Sequence, residues 1–138
     1  MEGESEMENT TFPSESLKEY DVVVILSYYQ GKLLLSREKK NPAWEFQGGA
    51  LEEGEIPSSA ARRILYNESG ACGFNLQPMC DFIYNEKKGM AFLATVYELD
   101  PLSDGEMRER KAFDVLPAKW HYPELSSLLL KYKEEIEE

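Results

Sequence analysis

Histidine and cysteine are scarce in this sequence, and their scarcity removes several chemistries at once. There is one histidine, His121, and there are two cysteines, Cys72 and Cys80, without CxxC spacing. With no cluster of either residue, a zinc site is not expected. The two thiols read as reduced and partly buried, as in a cytosolic protein. No G-x-S-x-G or other nucleophile motif occurs. No stretch approaches the roughly 18 to 20 unbroken apolar residues that a membrane span needs. The opening "MEGESEMENT" is acidic and lacks the basic-then-apolar order of a secretory signal. Positive charge is also in deficit, with 15 Lys and Arg against 26 Asp and Glu and a net charge of −11. That balance argues against a nucleic-acid polymer as partner, because such binding needs a basic stripe. It leaves room for a small-molecule nucleotide, whose charge a divalent cation would offset locally. The expectation is a cytoplasmic protein with no membrane and no nucleic-acid polymer among its partners.

What is present suffices for one core. The chain has 138 residues, 42% of them apolar, which fits a single domain. Residues 1–16 are polar and acidic and predict a loosely ordered segment; residues 17–138 predict the domain. "YDVVVILSYY" is rich in β-branched and aromatic residues and reads as a buried strand. Gln30-Gly31 then joins it to "KLLLSRE" as a hairpin. "WEF" reads as a short strand that delivers the chain to Gly48 and Gly49. Pro57 suits a first helical position and Gly70 a left-handed stop, so a helix is predicted over 57–69. "CDFIY" and "MAFLATVYEL" read as paired strands around "NEKKG", and "KAFDVLP" as a short last strand. "PELSSLLLKYKEEIEE" is helical, with Leu125, Leu128, Leu129, Tyr132 and Ile136 on one face. Strands with two helices packed on them predict an α/β fold of the α+β type, with a mixed sheet.

The stretch "FQGGALEEGEIPSSAARRILYNESGA" (residues 46–71) carries the candidate chemistry. A glycine pair lets backbone come close to a ligand and aim carbonyls at a cation. Glu52, Glu53 and Glu55 come next in the loop, and Arg62, Arg63 and Glu68 on the helix. Carboxylates beside such a loop are the oxygen donors that magnesium takes together with substrate phosphates.

The segment resembles the Nudix box, G-x5-E-x7-R-E-U-x-E-E-x-G-U, where U is bulky and apolar. Gly49 opens it, Glu55 is the first acid, Arg63 the arginine, Leu65 the apolar position, Glu68 the last acid, Gly70 the closing glycine, and Ala71 a weak final match. "WEFQGG" is similar to the family's usual "WEFPGG", with Gln47 in place of proline. The element order agrees from about Tyr20 onward. The resemblance implies a Nudix-like (MutT-like) α/β/α sandwich. It also implies a Mg2+- or Mn2+-dependent hydrolase acting on a nucleoside di- or triphosphate or a nucleoside-diphosphate-linked compound. It implies an ion pair between Glu55 and Arg63, and it is compatible with a homodimer.

The departures from the box are chemical. Ile64 and Asn67 stand where the family carries two metal-binding glutamates, so only Glu68 remains. Ile64 has no donor, and Asn67 has an oxygen without charge. On the family pattern, Glu68, a Gly49 carbonyl and a recruited Glu52 are the candidate metal ligands. Glu68, Glu52, Glu106 and Glu109 are the candidate catalytic acids, and Gly48 and Gly49 the substrate-facing backbone. The pattern supports two functional readings: hydrolysis that is weak or altered, or a catalytically inactive Nudix-fold module for nucleotide binding, sensing or protein interaction.

Overall fold

The run VVVILSYY forms β2 (Val22–Tyr29), the central strand of a seven-stranded mixed sheet. The computed structural model describes residues 8–39, 41–102 and 108–137. Val23 and Ile25 join a core cluster on one face of the sheet, and Leu26 joins a second cluster on the other. A strand covered on both faces requires such a continuous apolar run.

The remaining strands are β1 (Thr10–Phe12), β3 (Lys32–Glu38), β4 (Gln47–Ala50), β5 (Ala71–Tyr84), β6 (Lys87–Leu99) and β7 (Arg108–Phe113); the helices are α1 (Pro57–Ser69) and α2 (Pro123–Ile136). The sheet order is β1-β5-β6-β2-β3-β7, with β4 also paired to β2. β2 and β6 run parallel and the other pairs antiparallel. Both hairpins turn through two consecutive residues of positive φ, Gln30-Gly31 and Asn85-Glu86. That is the two-residue turn whose twist matches flanking strands.

α1 buries Ala60, Ala61, Ile64 and Leu65 against the Val23, Ile25 and Phe92 face. α2 buries Leu125 and Leu129 on the opposite face, with Leu26, Leu35 and Phe82. The result is the expected sandwich of helix, sheet and helix. Among the described residues, no helix is long and apolar enough to cross a membrane.

Several boundaries differ from the sequence expectation. Trp44 and Glu45 make only isolated bridges, to Trp120 and Ser36, and the strand proper begins at Gln47. β7 begins upstream of "KAFDVLP", because Arg108 to Phe113 pair along the length of β3. β5 reaches back to Ala71, since its partner β6 offers a long edge and Phe74 and Leu76 pack under α1. Cys80 is buried, but Cys72 is exposed.

Part of the segment 1–16 forms regular structure. Thr10 to Phe12 pair with Ile83 to Asp81 of β5, and residues 1–7 lie outside the described residues. A fully buried carboxylate, Asp81, anchors the stretch after β1. It accepts hydrogen bonds from the backbone N–H groups of Glu15, Ser16 and Leu17 and from the Tyr20 hydroxyl. Burial, and then the bond to Asp81, push the Tyr20 phenol up to about 12. A buried anion is tolerated only where donors replace its water. Asp81→Asn puts a donor where four donors converge, and is expected to lower unfolding stability by about 2–4 kcal/mol in urea titration.

Candidate active site

The loop from β4 to α1 is fastened by one ion pair. Arg63 donates from Nε and Nη2 to the two carboxylate oxygens of Glu55, both at 2.9 Å, and Nη2 also reaches the Ala50 carbonyl at 3.1 Å. Two parallel N–H···O bonds fix direction as well as distance. The Glu52 amide donates to the same carboxylate at 2.9 Å. These bonds, the Arg63 one first, hold the Glu55 carboxyl down to about 2. Ile56, at the N-cap of α1, makes no side-chain cap bond, so the arginine clasp fixes the entry into the helix.

β4 brings Gln47, Gly48 and Gly49 beside α1. Gln47, where the family pattern has proline, is fully buried. Its Nε2 donates to the Leu34 carbonyl and the Ser36 hydroxyl, and its Oε1 accepts from the Ser27 hydroxyl. The amide side chain therefore joins β2, β3 and β4 where proline could join nothing. The signal in the sequence is the pair of serines, Ser27 and Ser36, inside otherwise apolar strands. Ile64 is 5% exposed and belongs to the core. A Cβ added at Gly49 would stand 3.2 Å from Ile64 Cδ1. In this chain the second glycine makes room for an aliphatic side chain.

Glu68, one turn further along α1, points at the same glycines. Its Oε1 accepts from the Gly48 N–H at 3.1 Å, and its Oε2 lies 3.4 Å from Arg108 Nη2, with both side chains largely buried. Arg108 comes from the first position of β7. Two residues on, and therefore on the same face of the strand, Arg110 Nη1 donates to the carbonyls of Ser69 and Asp100. Two guanidinium groups thus meet the C-terminal end of α1, where the helix dipole favours cations. Sequence reasoning points to Glu106 and Glu109 in this region and misses Arg108 and Arg110, which flank Glu109. The alternation Arg-Glu-Arg is the available signal, since residues 108 and 110 must share one face of a strand.

The other candidate acids do not converge on Glu68. Glu109 takes the opposite face of β7, where Arg37 Nε donates to it at 2.9 Å while the Arg37 guanidinium lies 4.3 Å from the Trp44 ring centroid. Glu52 is 70% exposed and stands 3.8 Å from Arg63. Glu53 and Asn67 are exposed. Glu106 lies outside the described residues.

Beyond Gly48 and Gly49, on the α2 side, is a cavity of about 260 Å³. Phe46, Phe82, Tyr84, Tyr122 and Leu125 give it apolar walls, with Glu45 and Lys87 as charged members. Tyr84 and Tyr122 meet edge to face, with centroids 6.4 Å apart. Glu45 stands 3.6 Å from His121 Nδ1. Burial raises the Glu45 carboxyl, and the charges of His121 and Arg108 oppose the rise.

The NUDIX domain model matches residues 18–137. The chain belongs to the NUDIX family. Its fold is similar to that of a Bacillus subtilis pyrophosphohydrolase, BsRppH, solved as a mutant, with a TM-score of 0.77 at 20% identity over 94% of this chain and 89% of that one. A C. elegans Ap4A hydrolase in a binary complex gives 0.61 at 20% identity, over 83% and 97% of the two chains. The NUDIX domain of Shewanella oneidensis NrtR complexed with ADP ribose gives 0.58 at 13% identity, over 92% and 94%. These identities establish likeness of fold. No curated protein matches the sequence.

For a NUDIX protein, the donor set around Glu68 suits a divalent cation poorly. Magnesium and manganese favour several oxygen donors, with charged oxygens foremost. Here Ile64 supplies none, Asn67 is uncharged, and Glu68 faces Arg108. Glu52, Glu55 and Glu109 each lie against an arginine as well. Among the described residues, no group of three or more His, Cys, Asp or Glu is placed to share a metal ion.

The Glu55–Arg63 clasp has a pH signature. A carboxyl held near 2 in the folded chain, against an ordinary value of 4.5, contributes stability that is complete above the ordinary value and fades as pH falls toward 2. Glu55→Gln is expected to melt below the wild type at neutral pH. The gap should close as the buffer is acidified through that window, as read by thermal melts across pH.

Proposed function

We propose that this chain is a NUDIX-fold module that binds a nucleotide or nucleotide derivative, with metal-dependent hydrolysis slow or absent. One observation carries the reading. The place where the family pattern gathers metal-binding acids is filled by the chain's own groups, with Ile64 packed against Gly49 and Arg108 set against Glu68. The cavity supports the binding half. Its size is just below the roughly 300–1,000 Å³ of small-molecule sites, and its aromatic walls suit one planar ring system. The acidic composition agrees with a small ligand rather than a nucleic-acid polymer.

Hydrolysis is the second reading, and Glu52 favours it. Its exposed carboxylate is held only by a 3.8 Å contact to Arg63, so it is free to swing toward a cation that Glu68 shares. In that case water attack at phosphorus would depend on Mg2+ or Mn2+.

A panel of nucleoside triphosphates, nucleotide sugars and dinucleoside polyphosphates, assayed with magnesium and with manganese, separates the two. The expected result is turnover no higher in the wild type than in Glu68→Gln, together with a rise in melting temperature on adding at least one ligand. Metal-dependent turnover that Glu68→Gln abolishes would overturn the binding-module reading in favour of the hydrolase.

A further inference from the structure

We propose that Arg108 is the phosphate-binding residue of this chain, holding an anionic ligand group directly where other family members would interpose a divalent cation. The proposal rests on the nucleotide-binding reading for the identity of the ligand, but not for the anion site itself. Arg108 Nη1 is buried and has no hydrogen-bond partner among the described residues. An N–H group withdrawn from water without an acceptor is destabilising, so such groups call for a physical explanation. Its neighbour Nη2 is only loosely engaged, 3.4 Å from Glu68, beyond the usual range of an N–H···O bond. A guanidinium presents its donors as a planar fork that fits phosphate oxygens in pairs. One edge of this fork faces Glu68 and the other is unsatisfied.

Charge and position agree. Glu68 and Arg108 cancel, so an arriving phosphate does not meet the uncompensated carboxylates that would oblige a metal to bridge. Neither side chain of this pair lines the cavity, which opens on the other face of the sheet, but two of its residues connect with them. Gly48, whose N–H holds Glu68, is one of its walls, and so is Glu45, whose carboxylate feels the Arg108 charge. The Arg108 side chain is 17% exposed, which leaves one edge of it open to solvent. A ring seated between Tyr84 and Leu125 would direct its phosphates past the glycines toward that edge.

Calorimetric titration tests this with two probes, ATP and inorganic tripolyphosphate, each in EDTA and in magnesium. The proteins are the wild type, Arg108→Gln, Arg108→Lys, and Arg62→Gln as a charge-matched control on the exposed side of α1. The wild type is expected to bind tripolyphosphate in EDTA at least as tightly as in magnesium. Arg108→Gln should weaken binding by about tenfold or more, Arg108→Lys by less, and Arg62→Gln not at all. Wild-type binding that requires magnesium overturns the proposal, as does an unchanged affinity in folded Arg108→Gln. Should Arg108→Gln fail to fold, Arg108→Lys decides, because a lysine that binds both probes like the wild type removes the role claimed for the fork. Tripolyphosphate binding through Arg108 without any ATP binding sustains the anion site and sinks the nucleotide reading. ATP binding indifferent to Arg108 does the reverse, and no binding of either probe in either buffer sinks both.

Discussion

The joint between Glu68, the Gly48 amide and Arg108 governs the geometry of the site. It ties the last turn of α1 to the strand that carries the glycines and to the strand at the sheet edge, so two neighbouring elements and a third distant in sequence meet at one carboxylate. Arg110 reinforces the joint from the same strand face, through the carbonyls of Ser69 and Asp100. A carboxylate used this way is a fastening. Its charge is compensated from within the chain, and an incoming cation would compete with a guanidinium already in place. Electrostatics, more than the count of missing acids, separates this site from one built around a metal.

The scaffold was legible in the sequence to the extent that local rules decide it. Pro57 and Gly70 bounded α1 because a first-turn proline and a left-handed glycine act through their own backbones. The apolar run of β2 gave a buried strand, and Gln30-Gly31 and Asn85-Glu86 lie at the hairpins the pattern suggested. The order of elements, read beside the Nudix box, gave the sandwich. The β1 pairing was not legible, because Thr10 to Phe12 are ordinary residues whose order comes from β5 and Asp81, about seventy positions away.

The site was legible in part. Glu55 and Arg63 sit at motif spacing and do meet, and Ile64 packs as core. The partner of Glu68 could not be read, because it depends on which edge strand pairs with β3 and in what register. Once Glu38 faces Arg108 across that ladder, alternation sends Arg108 and Arg110 toward α1 and Glu109 away. A one-residue slip would have exchanged them. Gln47 was likewise legible only as a departure from proline, while its partners, Ser27, Ser36 and the Leu34 carbonyl, lie on two other strands.

Gly70 bears on how such a box persists. It holds φ 80°, and a side chain there would run into the Asp100 carbonyl and the Arg110 guanidinium. Glu55 and Arg63 close the loop, and Gly49 leaves space for Ile64. None of these duties involves a reacting phosphorus atom. Selection for a folded, ligand-binding chain alone would retain these four positions without requiring an acid at 64 or 67, so most of the signature of such a box can outlast its metal-binding acids.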